Sequence, residues 1–268
     1  MIVHLKGIAA TAPGFENWDT LRNHFSTGAG LDPDYLPRPQ GTILPATERR
    51  RASPTVKLAV EVAQGALEKS GLKAEDVAVV FASANGDTNT IHQICEALAT
   101  PERMVSPTRF HNSVHNAAAG YWSIASGSMQ PSSSLSAWND TFAAGLIEAA
   151  TQCVTEQVPV LLAVFDTPFP APLDEKTPGH RMFGVAMILD MQPEDGLAAM
   201  TIEVDPDTRL AATPMAEPQL EALRCDSSAS RSLPLLAALA SSRAHEEIVL
   251  DYLDSLRLRI ALDRQTAA

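Results

Sequence analysis

The stretch Ser132 to Gly145, SSSLSAWNDTFAAG, sets a short strand, Ser133 to Ala137, directly before a helix that begins near Asn139 or Asp140. Many α/β enzymes present a nucleophile at such a turn. The turn projects one side chain into a pocket, and the helix N-terminus stabilises developing negative charge. The side chains offered here are Trp138 and Asn139, and neither is a nucleophile. His111 and His115 are spaced i, i+4, which on a helix would put two imidazoles on one face for a metal. No glutamate adjoins them as in HExxH and no third ligand is apparent, so no metal is expected. Gly28 and Gly30 of STGAG follow no strand and complete no GxGxxG, which reads as a turn rather than a phosphate cradle. The absence of GxSxG argues against an α/β-hydrolase. Cys95, Cys153 and Cys225 are far apart, odd in number and form no CxxC pair, which argues against structural zinc and a disulfide framework and fits a reducing cytoplasm. No cofactor is expected.

Around this turn, buried strands alternate with helices, the pattern of an α/β layered domain. Residues 2 to 10 read as a strand and Trp18 to Phe25 as a helix. Ser53-Pro54 is an N-cap with proline at the first helical position. Leu58, Ala59, Val62, Ala63, Ala66 and Leu67 then follow at helical spacing until Gly71. VAVVFASANG (Val77 to Gly86) and VPVLLAVFD (Val158 to Asp166) are continuous apolar runs, expected as buried parallel strands. Between them lie an amphipathic helix through Ile91, Ile94, Cys95 and Leu98 and another from near Asn116 to Gly127. The helix after the opening strand turns Phe142, Leu146, Ile147, Ala150 and Val154 inward. Residues 167 to 182 form a proline-rich loop. GVAMILD (Gly184 to Asp190) and LAAMTIEV (Leu197 to Val204) are expected to pair as a hairpin across MQPEDG. After an irregular connection over 205–233 come a short helix, Pro234 to Ser241, and a closing hairpin of EIVLDY and LRLRIAL, with a helix through Leu250, Leu253 and Leu256 as the alternative.

With 268 residues, 45% hydrophobic and 19% charged, the chain can bury a substantial core. Its net charge of −12 disfavours nucleic acid or an anionic membrane as main partner. The N-terminal apolar run is too short for a signal peptide, and no stretch approaches a membrane span.

The segment Ser106 to Ala150 resembles the N-terminal half of β-ketoacyl-ACP synthases, which have the thiolase fold. Asn116, Ala118, Ala119, Gly120, Ser123 and Ile124 match that family's N-x-AAG-x-x-S-I helix. Gly127, Pro131 and Ser133 match its G-x-x-G-P-x-S link, and Ser136-Ala137 stands where the family has the Thr-Ala of T-A-C-x-x-G. The resemblance extends more weakly from about Ser53 to Val204. It implies an α/β fold, a truncated thiolase-like α-β-α arrangement with a mixed sheet, formed by residues 1–268 as one domain. Counted from Ser136-Ala137, the family's nucleophilic cysteine position holds Trp138; counted back from the helix end, it holds Asn139. The family's HGTGT-like and FGFGG-like strings do not occur here, and the length is short for both halves of a thiolase fold. Cys153, some four turns on, is expected to be a small core residue.

This profile resembles chain-length factors, the non-catalytic partners of two-component ketosynthases, and most of all the chain-length-factor-like subunit of aryl polyene and related type II clusters. The resemblance implies a cytoplasmic heterodimer with a catalytic ketosynthase subunit and an indirect relation to an acyl carrier protein. It assigns the partner interface to Asn116, Ala119, Gly120, Ser133, Ser134, Leu135, Ser136 and Ala137, because the matching strand pairs across the dimer axis. Phe110, His111, Val114 and His115 would line or plug the partner's tunnel, and Trp138 would fill the space left by cysteine and substrate. Arg49, Arg50 and Arg51 would contact the acidic carrier protein or make ion pairs. A stand-alone enzyme using His111, His115, Asn139 and Asp140, and a scaffold without effect on chain length, are the competing readings.

Overall fold

The computed structural model describes residues 1–176, 180–194, 196–207 and 209–264. β1 (Ile2–Thr11) is followed by α1 (Trp18–Thr27), which Asn17 caps by accepting from the Thr20 amide at 2.9 Å. After α2 (Ala46–Arg51), α3 (Pro54–Ser70) begins as Ser53-Pro54 predicts. Ser53 Oγ accepts from the Val56 amide at 3.2 Å, and Gly71 ends the helix at φ 71°. β2 (Ala78–Ala82) leads to α4 (Thr88–Ala99), α5 (Pro107–Asn112) and α6 (Ala117–Ser126). β3 (Ser132–Leu135), a 3-10 turn over Trp138–Asp140, α7 (Thr141–Glu156) and β4 (Val160–Asp166) follow. α8 (Leu173–Lys176) lies in the proline-rich loop expected over 167–182, of which 177–179 fall outside the described residues. The chain continues through β5 (Phe183–Asp190), β6 (Ala198–Asp205), α9 (Pro218–Arg224), α10 (Leu233–Ala240), β7 (His245–Tyr252) and β8 (Leu256–Asp263).

The strands form one eight-stranded sheet in the order β3-β2-β4-β5-β1-β6-β8-β7. β2 runs parallel to β3 and β4, and the remaining neighbours are antiparallel. The mixed sheet with helices on both faces is the layered α/β, thiolase-like arrangement that the resemblance implies. β2 and β4 are buried on both faces, as their unbroken apolar runs predict. Ala78, Val80, Ala82, Val160, Leu162 and Val164 enter one core; Val79, Phe81, Leu161, Ala163 and Phe165 enter the other.

α3 covers the second core with Val56, Ala59, Ala63 and Ala66. It approaches β1 so closely that a Cβ on Gly7 would stand 2.2 Å from the Ala66 carbonyl oxygen, which restricts that position to glycine. α7 fills the first core with Phe142, Leu146, Ala149, Ala150 and Cys153. Burial of Phe142 and Leu146 contributes about 1.5–3 kcal/mol each. α7 touches β2 and β4 and also β7, which is five strands from β4 in the sheet. A flat sheet would hold β4 and β7 about 24 Å apart. The sheet therefore curls, and the β7–β8 hairpin closes over α7.

Two expectations change. β5 and β6 are not a hairpin, because β1 lies between them and pairs with both. β6 begins beside Leu5 and runs on past Ile2, and from Ala199 to Asp205 its other edge pairs with β8. The irregular connection expected over 205–233 instead contains α9 and a 3-10 turn, Ala229–Ser232, with Leu220, Leu223 and several serines buried. No helix among the described residues is long and apolar enough to cross a membrane.

Candidate functional site

The strand, turn and helix of Ser132 to Gly145, a pedestal of the kind that presents a nucleophile, lie at the C-terminal ends of the parallel strands, where open α/β sheets place their crevices. β3 ends at Leu135, and Ser136 Oγ donates to the Ala84 carbonyl at 2.9 Å, tying the turn to the end of β2. The chain then passes through Trp138 at φ 51°, in the left-handed region. Fully buried Thr141 locks the turn: its Oγ1 accepts from the Ala137 amide at 3.0 Å and donates to the Trp138 carbonyl at 2.7 Å. Asp140 Oδ2 accepts from the Leu253 amide of the β7–β8 turn at 3.1 Å.

The turn carries no nucleophile. Trp138 is 64% exposed, so it does not fill a vacated pocket as expected; the turn directs the indole into solvent. Cys153 is fully buried on α7, about 18 Å along the helix from Thr141 at 1.5 Å per residue. Burial pushes its thiol up to about 12, so it is protonated at neutral pH and is a core residue. Cys95 and Cys225 are exposed on α4 and at the end of α9.

Beside the pedestal, a polar hub that the sequence did not reveal occupies the strand ends. Asp166, 2% exposed at the end of β4, accepts from Ser83 Oγ (3.3 Å), the Ala84 amide (3.0 Å), Ser228 Oγ (2.6 Å) and the Ala229 amide (3.0 Å). Burial raises its carboxyl above the ordinary range, while the bonds from Ser228, Ala229 and Ala84 and nearby His180 oppose the rise. The only signals in sequence were an aspartate ending an apolar strand and the serine run CDSSASRS. His115 Nε2 bonds the Ser83 carbonyl at 3.0 Å, which ties the approach to α6 to the same strand end.

The residues assigned to an interface fall into two groups. Ser133, Ser134 and Leu135 are half-buried on β3, which among the described residues pairs only with β2 and forms one edge of the sheet. The Val79 and Ser83 amides donate to the Pro131 and Leu135 carbonyls, so 131, 133 and 135 face β2 while the backbone groups of Ser132 and Ser134 point outward. Ser136 is exposed and Ala137 half-buried. On α6, Asn116 and Gly120 are exposed, but Ala119 is 6% exposed and packs in the core beneath the helix. The reason is helical spacing: Ala118, Ala119, Tyr121 and Trp122 share the inner face.

Phe110 (68% exposed), His111 and Val114 face outward, and His115, though exposed, turns its ring to the Ser83 carbonyl. His111 and His115 do not share a helical face, because α5 ends at Asn112. The cavity His111 lines, about 290 Å³, includes none of His115, Asn139 and Asp140. Arg51 pairs with Glu48 at 3.6 Å, and its carbonyl accepts from Asn112 Nδ2 at 2.8 Å; Arg50 is exposed and Arg49 half-buried. The α4 face that carries Ile91, Cys95 and Leu98 is exposed and rests on α5 alone among its principal contacts.

Residues 25–247 match the family described as β-ketoacyl synthase, N-terminal domain. The chain belongs to that family. A search of curated protein sequences finds no match. Among solved structures, this ketoacyl synthase-family chain is similar to one from the ketosynthase ApeO in complex with its chain length factor ApeC from Xenorhabdus doucetiae. The two are 25% identical with a TM-score of 0.71, over 98% of this chain and 100% of that one. The ishigamide ketosynthase/chain length factor matches at 15% identity and TM-score 0.76, over 99% of this chain and 100% of that one. A type II PKS acyl-carrier protein complex with its ketosynthase, AntDE:AntF, matches at 11% and 0.72, over 98% and 99%. The last two likenesses establish the shared fold.

Proposed function

We propose that this chain is the non-catalytic, chain-length-factor-like subunit of a two-component ketosynthase in fatty acid or polyketide biosynthesis of the aryl polyene type. In this reading it is a cytoplasmic pseudoenzyme that forms a heterodimer with a catalytic ketosynthase, meets an acyl carrier protein only indirectly, and shapes the partner's acyl tunnel. The observation that carries the reading is the pedestal: a ketosynthase-family strand, turn and helix that present Trp138 and Asn139 with no thiol on the turn.

Three features support pairing. The outward backbone groups of Ser132 and Ser134 on edge strand β3 can accept another strand. Ile91, Leu98, Met104, Phe110 and Val114 are exposed apolar side chains on and around α4 and α5, available to a partner. The neighbour at 25% identity is a ketosynthase in complex with its chain length factor. The contribution to catalysis would be shape and burial: an apolar interface holds the partner's tunnel in working geometry, with Phe110 and Val114 facing it and Arg50 free for an acidic carrier protein. A stand-alone enzyme finds less support, because His115 and Asp140 are each engaged by backbone groups of other elements.

The test is acyl-thioester turnover and condensation by the chain alone, by its genomic ketosynthase alone, and by the two co-expressed. Condensation in the co-expressed pair together with an inert lone chain is expected. Robust turnover by the lone chain contradicts the reading.

A further inference from the structure

Trp138 and Leu253 are two of four non-glycine residues with positive φ among the described residues, at 51° and 53°. Bulky side chains avoid this region because Cβ crowds the following carbonyl oxygen. Both conformations are fixed at the same place. Thr141 Oγ1 holds the turn through the Ala137 amide and Trp138 carbonyl, and Asp140 Oδ2 holds the Leu253 amide at 3.1 Å. The two side chains are nevertheless 64% and 47% exposed. The fold thus strains its backbone at two adjoining points and packs neither side chain in its own core. Such strain persists where surrounding structure over-determines it and concentrates at functional contacts. The other tryptophans, Trp18 and Trp122, are 7% and 2% exposed, so Trp138 alone is presented to solvent.

We propose that Trp138 is a preorganised anchor that seats in an apolar recess of the ketosynthase partner. This inference rests on the pairing reading above and names the residue that dominates it. Trp138 lies three residues beyond Leu135, the last residue of edge strand β3, so a partner paired along that edge has its adjoining surface over the turn. The indole sits on a backbone already locked by hydrogen bonds, so docking it orders little, and a large rigid aromatic displaces much water. An apolar recess suits the indole ring, because the Trp138 side chain is mostly hydrocarbon and no charged group but Asp140, whose Oδ2 accepts from the Leu253 amide, lies within two residues of it. Residues of this kind at an interface centre carry much of its affinity; Trp138→Ala should weaken the complex by at least about 30-fold.

The decisive experiment labels this chain with 5-fluorotryptophan and records its 19F spectrum alone and bound to unlabelled ketosynthase. Each β-ketoacyl synthase of its genome with an intact Cys-His-His set is co-expressed or mixed in turn. Trp138→Phe assigns the exposed resonance, and Trp18 and Trp122 serve as internal controls. On complex formation the Trp138 resonance should shift and lose its H2O/D2O isotope shift, while the two buried resonances stay in place. A complex that leaves the Trp138 resonance unchanged overturns the anchor and leaves pairing intact. Failure of the wild-type chain to bind any such synthase overturns both. A Trp138 resonance already shielded in the lone chain, in a concentration-dependent way, assigns the surface to a second copy and also overturns the proposal.

Discussion

The Leu253 amide donates to Asp140 Oδ2 at 3.1 Å, joining the last hairpin of the chain to the N-terminal end of the helix that follows the pedestal. The two residues are 113 positions apart, and the bond fixes how the curled end of the sheet closes over α7. Asp140→Ala should cost about 1–2 kcal/mol, with Asp140→Asn, which keeps an acceptor oxygen, costing less. Urea unfolding of both variants checks this, and equal losses would argue that the bond itself contributes little.

Asp166 gives the fold a pH signature. Burial raises its folded-state pKa above the unfolded value, so the folded chain holds the proton more tightly. Its contribution is then fully present below the ordinary carboxylate pKa and is lost as pH rises through the raised folded value. Asp166→Asn removes that decline. It also places an amide N–H₂ against donors, at a cost of about 1–3 kcal/mol at pH 7. A urea-unfolding series from pH 4 upward should show a lower but flatter stability profile for the variant; an unchanged slope would mean the carboxyl is not held up by burial.

Trp138→Cys should create no ketosynthase activity in the lone chain. The new thiol would sit exposed on left-handed backbone, while His115 is committed to the Ser83 carbonyl and His111 lies on another element. Condensation by the variant chain should match the no-protein control; a clear rate above it would show that the site retains a hidden catalytic apparatus.

Phe110→Ala should leave stability within about 0.5 kcal/mol, because the ring is 68% exposed. In the reconstituted pair it should shift products toward longer chains, read by mass spectrometry of the acyl products. An unchanged product distribution would remove Phe110 from the tunnel wall.

Much of the fold was legible because local chemistry and tertiary structure agree. Ser53-Pro54 opens α3, Gly71 and Gly127 close α3 and α6 in the left-handed region, and the unbroken runs of β2 and β4 are buried on both faces. The failures are non-local. β5 and β6 look like a hairpin from their short connection, yet β1, some 180 residues earlier, inserts between them. The serine-rich turn near Ser228 is ordered by Asp166, 62 residues away, and no local pattern encodes that contact. At the site, the missing nucleophile was plain from Trp138 and Asn139, but the exposure of Trp138 was not. An aromatic residue usually packs inward, and here a left-handed turn held by Thr141 directs it out. Ala119 erred the other way, since the matched motif did not say which face of α6 it occupies.

The β3 edge offers the most direct test of the central claim, that this chain exists to pair with a ketosynthase. The Ser134 amide points away from β2, and its Oγ has no hydrogen-bond partner among the described residues, so Ser134→Pro removes an outward donor and spares the pairing with β2. Native mass spectrometry of the chain co-expressed with its ketosynthase should give a 1:1 heterodimer for wild type. For Ser134→Pro it should give separate chains, with this chain still folded by circular dichroism. A wild-type chain that remains alone beside the ketosynthase, or a heterodimer indifferent to Ser134→Pro, would contradict pairing through this edge.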